Sequence, residues 1–372
     1  MKKILCLLLA LLCLLNFGTW TAAEAIPEVT VPVTRDVKFG SANMAVTPEE
    51  FAAAGFALGD SCDIIFSNGF SCLDIPFYNG YYVKPGTPVV VAYPGFDYVS
   101  VAFNSDPIWE PAGLKEGDTV TVILHEAGKY AALQEALGQS YSFDRADYIS
   151  DAAFCNFRAL TGGALKENFL FRGASPVDDS RGRAPYTDAL LKENGVVFIL
   201  DLADSGEDME GYLKEETFAS PYSAALYAEG KIALLSMSAA FRSEDYRQKL
   251  AEGLRAMLLS PGPAYIHCME GKDRTGFVCM LLEALAGASY EEMRTDYMLT
   301  YGNYYGVTPE AAPEKYAAIA DLYFDAFAAF LHGTEDLAEL KAACYTADAE
   351  AYLLSSGMTE EEVAALRAYI TK

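Results

Sequence analysis

A chain of 372 residues with a formal net charge of −25 offers no basic surface to nucleic acid and no bulk attraction to acidic lipid. With 52% hydrophobic residues it can bury the cores of two domains. It has only three histidines and no Cys-x-x-Cys pair, so neither a zinc site nor another metal or cofactor is expected.

The chain opens with Lys2 and Lys3, an apolar run over 4–15, and a small-x-small site at Ala23-Glu24-Ala25. That order reads as an export signal over 1–25, and its apolar part is too short to span a bilayer comfortably. The expectation is a secreted or extracytoplasmic protein with no stable membrane insertion after signal removal. From 26 to 141 the texture is β: short alternating runs recur at 29–33, 63–66, 88–93, 98–103 and 119–124. Turn signals such as Asn79-Gly80, Pro85-Gly86, Pro94-Gly95 and Gly117-Asp118 divide them, which predicts a small barrel or sandwich. Tyr78, Tyr81, Tyr82 and Tyr93 are dense here, which fits a ligand-binding aromatic surface or, as the leading reading, aromatic packing of a small β core. Cys62 and Cys72 admit either a bridge across a hairpin or two packed thiols. No motif in this region points to chemistry or to a particular partner.

Residues 142–164 read as a connecting segment, and a second domain occupies 165–372. Strands at 169–174, 196–200, 231–236 and 264–267 alternate with helices at 185–193 and 245–259. Alternation of this kind predicts an α/β fold, a parallel-type sheet flanked by helices, with ligand sites at the carboxyl ends of the strands. Beyond 276 the chain reads as helical to its end. Tyr316, Ile319, Leu322, Tyr323, Ala326, Phe327 and Phe330 form one stripe, and Thr359 with Glu362 forms a capping box for the last helix.

The chemistry concentrates in His267-Cys268-Met269-Glu270-Gly271-Lys272-Asp273-Arg274-Thr275-Gly276, a loop between a buried strand and a helix that is apolar nearly all round. A helix start leaves backbone N–H groups without partners and adds partial positive charge, so the loop is a candidate phosphate cradle, a P-loop in the broad sense. Gly271 and Gly276 let the main chain approach a ligand. Arg274 offers a two-pronged grip on phosphate oxygens. Cys268 faces the same positive end, which favours a thiolate nucleophile, and the Thr275 hydroxyl is in reach of its sulfur. Lys272 adds positive charge at the rim, and His267 reads as a hydrogen-bonder under the loop.

These residues match Cys-x5-Arg-Ser/Thr, the signature of cysteine-dependent phosphatases. In the form His-Cys-x-x-Gly-Lys-Asp-Arg-Thr-Gly the stretch resembles the bacterial tyrosine-phosphatase family whose members also act on phosphoinositides. The resemblance covers roughly 171–301. Arg172, in Phe171-Arg172-Gly173-Ala174, looks like the arginine-bearing segment that opens the family's catalytic domain. The strand ending at Asp201 looks like the family's Asp-Leu-Arg strand, with Ala203 in place of the arginine. The resemblance implies the cysteine-phosphatase fold, a phosphocysteine intermediate, and a substrate site made of residues 267 and 269–273 with Thr275, Gly276, Arg172 and Asp204 beside the catalytic Cys268 and Arg274.

The chemistry also needs an acid to protonate the leaving oxygen. Asp201 is the first choice, Asp204 lies in the same turn, and Asp273 in the signature is a third. The mobile-loop position used by many relatives reads Ser236-Met237-Ser238-Ala239-Ala240, without an acid until Glu244 and Asp245. The leading expectation is an exported phosphomonoesterase of tyrosine or dual-specificity type, acting on a phosphorylated protein or a small phosphomonoester. Lys272 motivates a phosphoinositide or inositol-polyphosphate alternative. The missing loop acid and the large β region motivate a third, a catalytically weak phosphate-binding surface module.

Overall fold

The computed structural model describes residues 26–138 and 140–372, so the segment read as an export signal lies outside the described residues. The β region is a closed barrel and not a sandwich. Its strands are β1 (Glu28–Arg35), β2 (Ala42–Met44), β3 (Ser61–Phe66), β4 (Ser71–Tyr78), β5 (Pro88–Val91), β6 (Val99–Phe103) and β7 (Thr119–Glu126), in the order β1-β2-β6-β5-β4-β3-β7. Closure comes from β1, which pairs with β7 on one side and β2 on the other, and this removes free sheet edges. Neighbours are antiparallel except β4 and β5, which are parallel. Side chains of period two fill the interior: Val33, Met44, Ile64, Phe66, Val90, Val101, Val120 and Val122 are all buried in one cluster. A short helix the β texture hid, Pro48–Ala53, is started by a capping box between Thr47 and Glu50. It buries Phe51, which stacks on Phe56 at 4.2 Å and meets Phe77 edge-on at 5.0 Å. Cys62 and Cys72 are both free; the register sets Cys62 opposite Ile75 and Cys72 opposite Ile64.

The second sheet contains β8 (Arg158–Ala159), β9 (Leu170–Gly173), β10 (Phe198–Asp201), β11 (Ile232–Leu234) and β12 (Ala264–His267), ordered β11-β10-β12-β9-β8. Its first four members are parallel, and β8 closes the edge antiparallel to β9. Strand β8 lies inside the stretch that reads from sequence as a connection. Helices flank the sheet, among them Ala184–Glu193 and Glu244–Leu258, and further helices lead to Glu360–Ile370, with its Thr359–Glu362 capping box. The stripe from Tyr316 to Phe330 is not one regular helix: a π-helical turn, Ala320–Asp325, interrupts it. The helix Asp273–Leu285 is buried at every residue from Thr275 onward, which is why its apolar residues run all round and not along one face.

The two domains share a core. Tyr78, Tyr82, Val89 and Ala102 of the barrel pack in the same buried cluster as Phe277, Tyr301 and Phe327. Those two tyrosines therefore pack at the domain boundary and not in the barrel's own core: Tyr78 ends β4 and Tyr82 lies in the loop that follows it, and both meet a second apolar surface. Polar contacts accompany the docking. The Lys38 ammonium donates to the Ala203 carbonyl, Lys315 donates to the Gly138 carbonyl at 2.6 Å, and the Tyr323 hydroxyl donates to the Tyr81 carbonyl at 3.3 Å.

Candidate active site

The residues from Cys268 to Lys272 form a turn between β12 and the helix Asp273–Leu285, at the carboxyl edge of the parallel strands. Gly271 has φ +64, and a Cβ there would fall 2.1 Å from the Gly173 carbonyl oxygen, so only glycine fits. Gly276 serves packing: a Cβ would meet the Tyr297 ring at 2.5 Å. No side chain caps the helix start at Lys272, so its first N–H groups remain for a ligand.

The loop is held by its carbonyls. Buried Arg172 donates Nη2 to the Gly271 carbonyl at 2.8 Å and Nη1 to Asp296 at 2.5 Å. Asn156 also donates to the Gly271 carbonyl, at 3.2 Å, and the Tyr304 hydroxyl donates to the Glu270 carbonyl at 2.8 Å. A peptide whose carbonyl is drawn outward turns its N–H the other way, which builds the concave anion cradle. Arg158 completes the support with a 2.6 Å bond from Nε to Asp296. Asn156, Tyr304 and Asp296 carry no motif in the sequence. Asn156 sits at φ 51 in the stretch that reads as a connection, and only the fold reveals its role.

Cys268 is buried with its sulfur on the cleft wall. Burial opposes its ionisation, but the Arg274 guanidinium and hydrogen bonds from the Thr275 hydroxyl and N–H outweigh it, so the thiol lies below its ordinary pKa. The buried Thr275 hydroxyl makes no conventional hydrogen bond among the described residues, so it is available to that sulfur. Arg274 donates Nη1 to the Met237 carbonyl at 2.9 Å. The segment after β11 thus gives the site a carbonyl where sequence comparison looked for an acid.

The cleft above the sulfur has a volume of about 400 Å³ and is lined by Met269, Glu270, Lys272, Asp273 and Arg274 of the loop, by Ser238–Ala240, and by Tyr305 and Tyr323. Of the other residues expected at the site, Gly271, Thr275 and Gly276 do not line the cleft, and Arg172, Asp201, His267 and Asp204 lie beneath or behind the loop. Arg172 is beneath the loop and positions it. Asp201 is fully buried behind it, opposite His267 in the β10–β12 register, with Oδ1 accepting from the N–H groups of Ala203 and Asp204 at 2.8 and 3.0 Å. It caps its own turn, and burial raises its pKa. His267 is also fully buried, with Nδ1 3.1 Å from the Cys268 carbonyl and Nε2 3.6 Å from Asp201, and burial lowers it to about 4, so it is neutral at pH 7. Asp204 is buried beside them, and burial together with the Asp201 charge pushes it up to about 8. The remaining candidate, Asp245, is exposed at the start of its helix and pairs with Lys249 at 3.0 Å.

The position of Asp204 predicts a pH dependence of stability. A carboxyl raised on folding stabilises the fold fully below its unfolded value, about 4, and that contribution is lost as pH rises through about 8. Asp204→Asn removes the loss. Its midpoint of denaturation should gain on the wild type as pH rises from about 4 to about 8 and level off above that, and parallel curves would reject this role.

A strand–loop–helix with a cradled anion site, a low-pKa cysteine and a fixed arginine defines a phosphatase domain. The chain belongs to the tyrosine phosphatase family, whose model matches residues 152–372, more than half of the chain. No curated protein matches it. Among solved structures, an uncharacterized conserved protein from Thermotoga maritima is similar over 25% of this chain at 15% identity, with a TM-score of 0.23. The similarity spans about a third of that protein, 35%.

Proposed function

We propose an exported phosphomonoesterase of tyrosine or dual-specificity type that works through a phosphocysteine. The observation that carries this reading is Cys268, its thiol held below its ordinary pKa, lining the same cleft as Arg274. The thiolate attacks phosphorus while Arg274 and the loop N–H groups hold the equatorial oxygens. The bond from phosphorus to the ester oxygen breaks, and an acid protonates that oxygen as it leaves. Water then attacks the phosphocysteine, giving its proton to the same carboxylate and releasing phosphate and thiolate, with the Thr275 hydroxyl hydrogen-bonding the departing sulfur.

Asp273 is the acid this reading favours. Of Asp201, Asp204, Asp245 and Asp273, it is the one on the cleft wall, half exposed at the loop rim. Asp273 pairs with Lys272 of its own loop, while the other carboxyls of the wall are turned to groups away from the loop backbone or lie on the barrel side. Glu270 is buried and accepts from the Tyr141 hydroxyl, Asp36 accepts from two N–H groups of its own turn, and Asp106 lies 3.6 Å from Arg242. Lys272, the ground for a polyphosphate substrate, is 3.6 Å from Asp273 and buried, so its charge is already answered. Asp273→Asn should lower the rate on phenyl phosphate by about 10²–10³ and on 4-nitrophenyl phosphate by about tenfold or less, since the better leaving group needs no proton. Equal losses on both esters would assign Asp273 a structural role.

A further inference from the structure

The barrel reaches into the catalytic cleft. Its side of the wall includes Asp36, Phe39, Tyr81, Tyr93, Phe96 and Tyr98. One barrel contact falls on the arginine itself and comes from the turn between β1 and β2. The Phe39 ring centroid lies 5.5 Å from the Arg274 guanidinium carbon. One residue earlier, the Lys38 ammonium donates to the Ala203 carbonyl, in the turn that follows β10. The turn itself is stiff. Asp36 Oδ1 accepts from the N–H groups of Lys38 and Phe39 at 2.9 and 2.7 Å. Gly40 then turns the chain at φ +68, where a Cβ would meet Pro107 at 2.6 Å.

We propose that this barrel turn is a positioning element of the active site: Lys38 anchors it to the catalytic domain, and Phe39 fixes the plane of the Arg274 guanidinium for two-pronged phosphate binding. The proposal rests on the phosphatase reading above only for its effect on rate. A guanidinium needs its plane fixed to meet two phosphate oxygens at once, and the one hydrogen bond Arg274 makes among the described residues, from Nη1 to Met237, does not by itself set that plane. A ring against the guanidinium removes that freedom and attracts the cation. Lys38 brings a second positive charge toward the same place: burial and the Arg274 charge lower its pKa, while Asp204, Asp208 and Asp201 oppose that shift. The barrel is therefore half of the site and not a detached targeting module.

The test uses the full chain with Phe39→Leu, which keeps apolar packing without a ring, and Phe39→Tyr, which restores the ring. Each is made in the wild type and in Cys268→Ser. Binding of inorganic phosphate to the Cys268→Ser background is measured by calorimetry, and kcat on 4-nitrophenyl phosphate in the wild-type background. Phe39→Leu should weaken phosphate about tenfold and lower kcat in step, while Phe39→Tyr stays within about twofold of the parent on both. Phosphate binding unchanged in Phe39→Leu, or lost equally in Phe39→Tyr, overturns the proposal. Phe39 is 37% exposed, so loss of its ring is no threat to folding. If the wild type turns nothing over but Phe39→Leu still weakens phosphate, the brace stands and the phosphatase reading falls.

Discussion

Replacing Cys268 by Ser should lower turnover of an aryl phosphate by about 10⁴-fold or more, while leaving inorganic phosphate bound. The two effects separate because different atoms produce them. The cradle N–H groups and Arg274 do not depend on the sulfur. Ionisation does: Arg274 and the two Thr275 hydrogen bonds overcome the burial of a thiol, but a serine hydroxyl starts too far above neutral pH for the same fields to ionise it. The same cause fixes the acid limb of the pH–rate profile. Rate should climb as the thiol ionises, with a midpoint below the ordinary thiol value of about 8.5, and alkylation of Cys268 by iodoacetamide should show the same midpoint. Undiminished turnover by the serine protein, or alkylation titrating at the ordinary value, would remove sulfur from the reaction.

The parts of the molecule that were legible in the sequence are those whose signals are local. Cys268, Gly271, Arg274 and Thr275 fall within eight residues, between a short apolar run and a helix, so the loop and its context could be read together. The strand–helix alternation likewise announced a parallel sheet, and β9 to β12 follow it. What escaped depends on distance and on which face a residue shows. Barrel closure is decided by β1 meeting β7 across the whole domain, and no alternation pattern reports that. Asp201 stands at a strand's carboxyl end, as its position suggests, but β10 and β12 lie in register there and its carboxyl faces His267 behind the loop and not the cleft. The density of Tyr81 and Tyr93 admitted a ligand surface, but they belong with Phe39 to a stretch that has its own apolar core, so nothing local favoured a cleft completed by another domain over core packing.

Arg274→Lys should cost about 10²–10³ in kcat on aryl phosphates, although the charge is retained. An ammonium on a flexible stem cannot donate to the Met237 carbonyl and also span two equatorial oxygens, so the geometric part of the arginine's work is lost. Its electrostatic part is the field that favours the Cys268 thiolate, and this largely survives because the positive charge stays close to the sulfur. Arg274→Met removes both. The alkylation midpoint of Cys268 should therefore stay near the wild-type value in Arg274→Lys and rise clearly in Arg274→Met, while kcat falls in both and further in the second. If the lysine protein matched wild type in rate, the planar fork would be irrelevant and the bracing by Phe39 would have nothing to act on. If the methionine protein kept the low midpoint, the thiolate would owe its stability to Thr275 and the helix start, and Arg274 would act on the substrate alone.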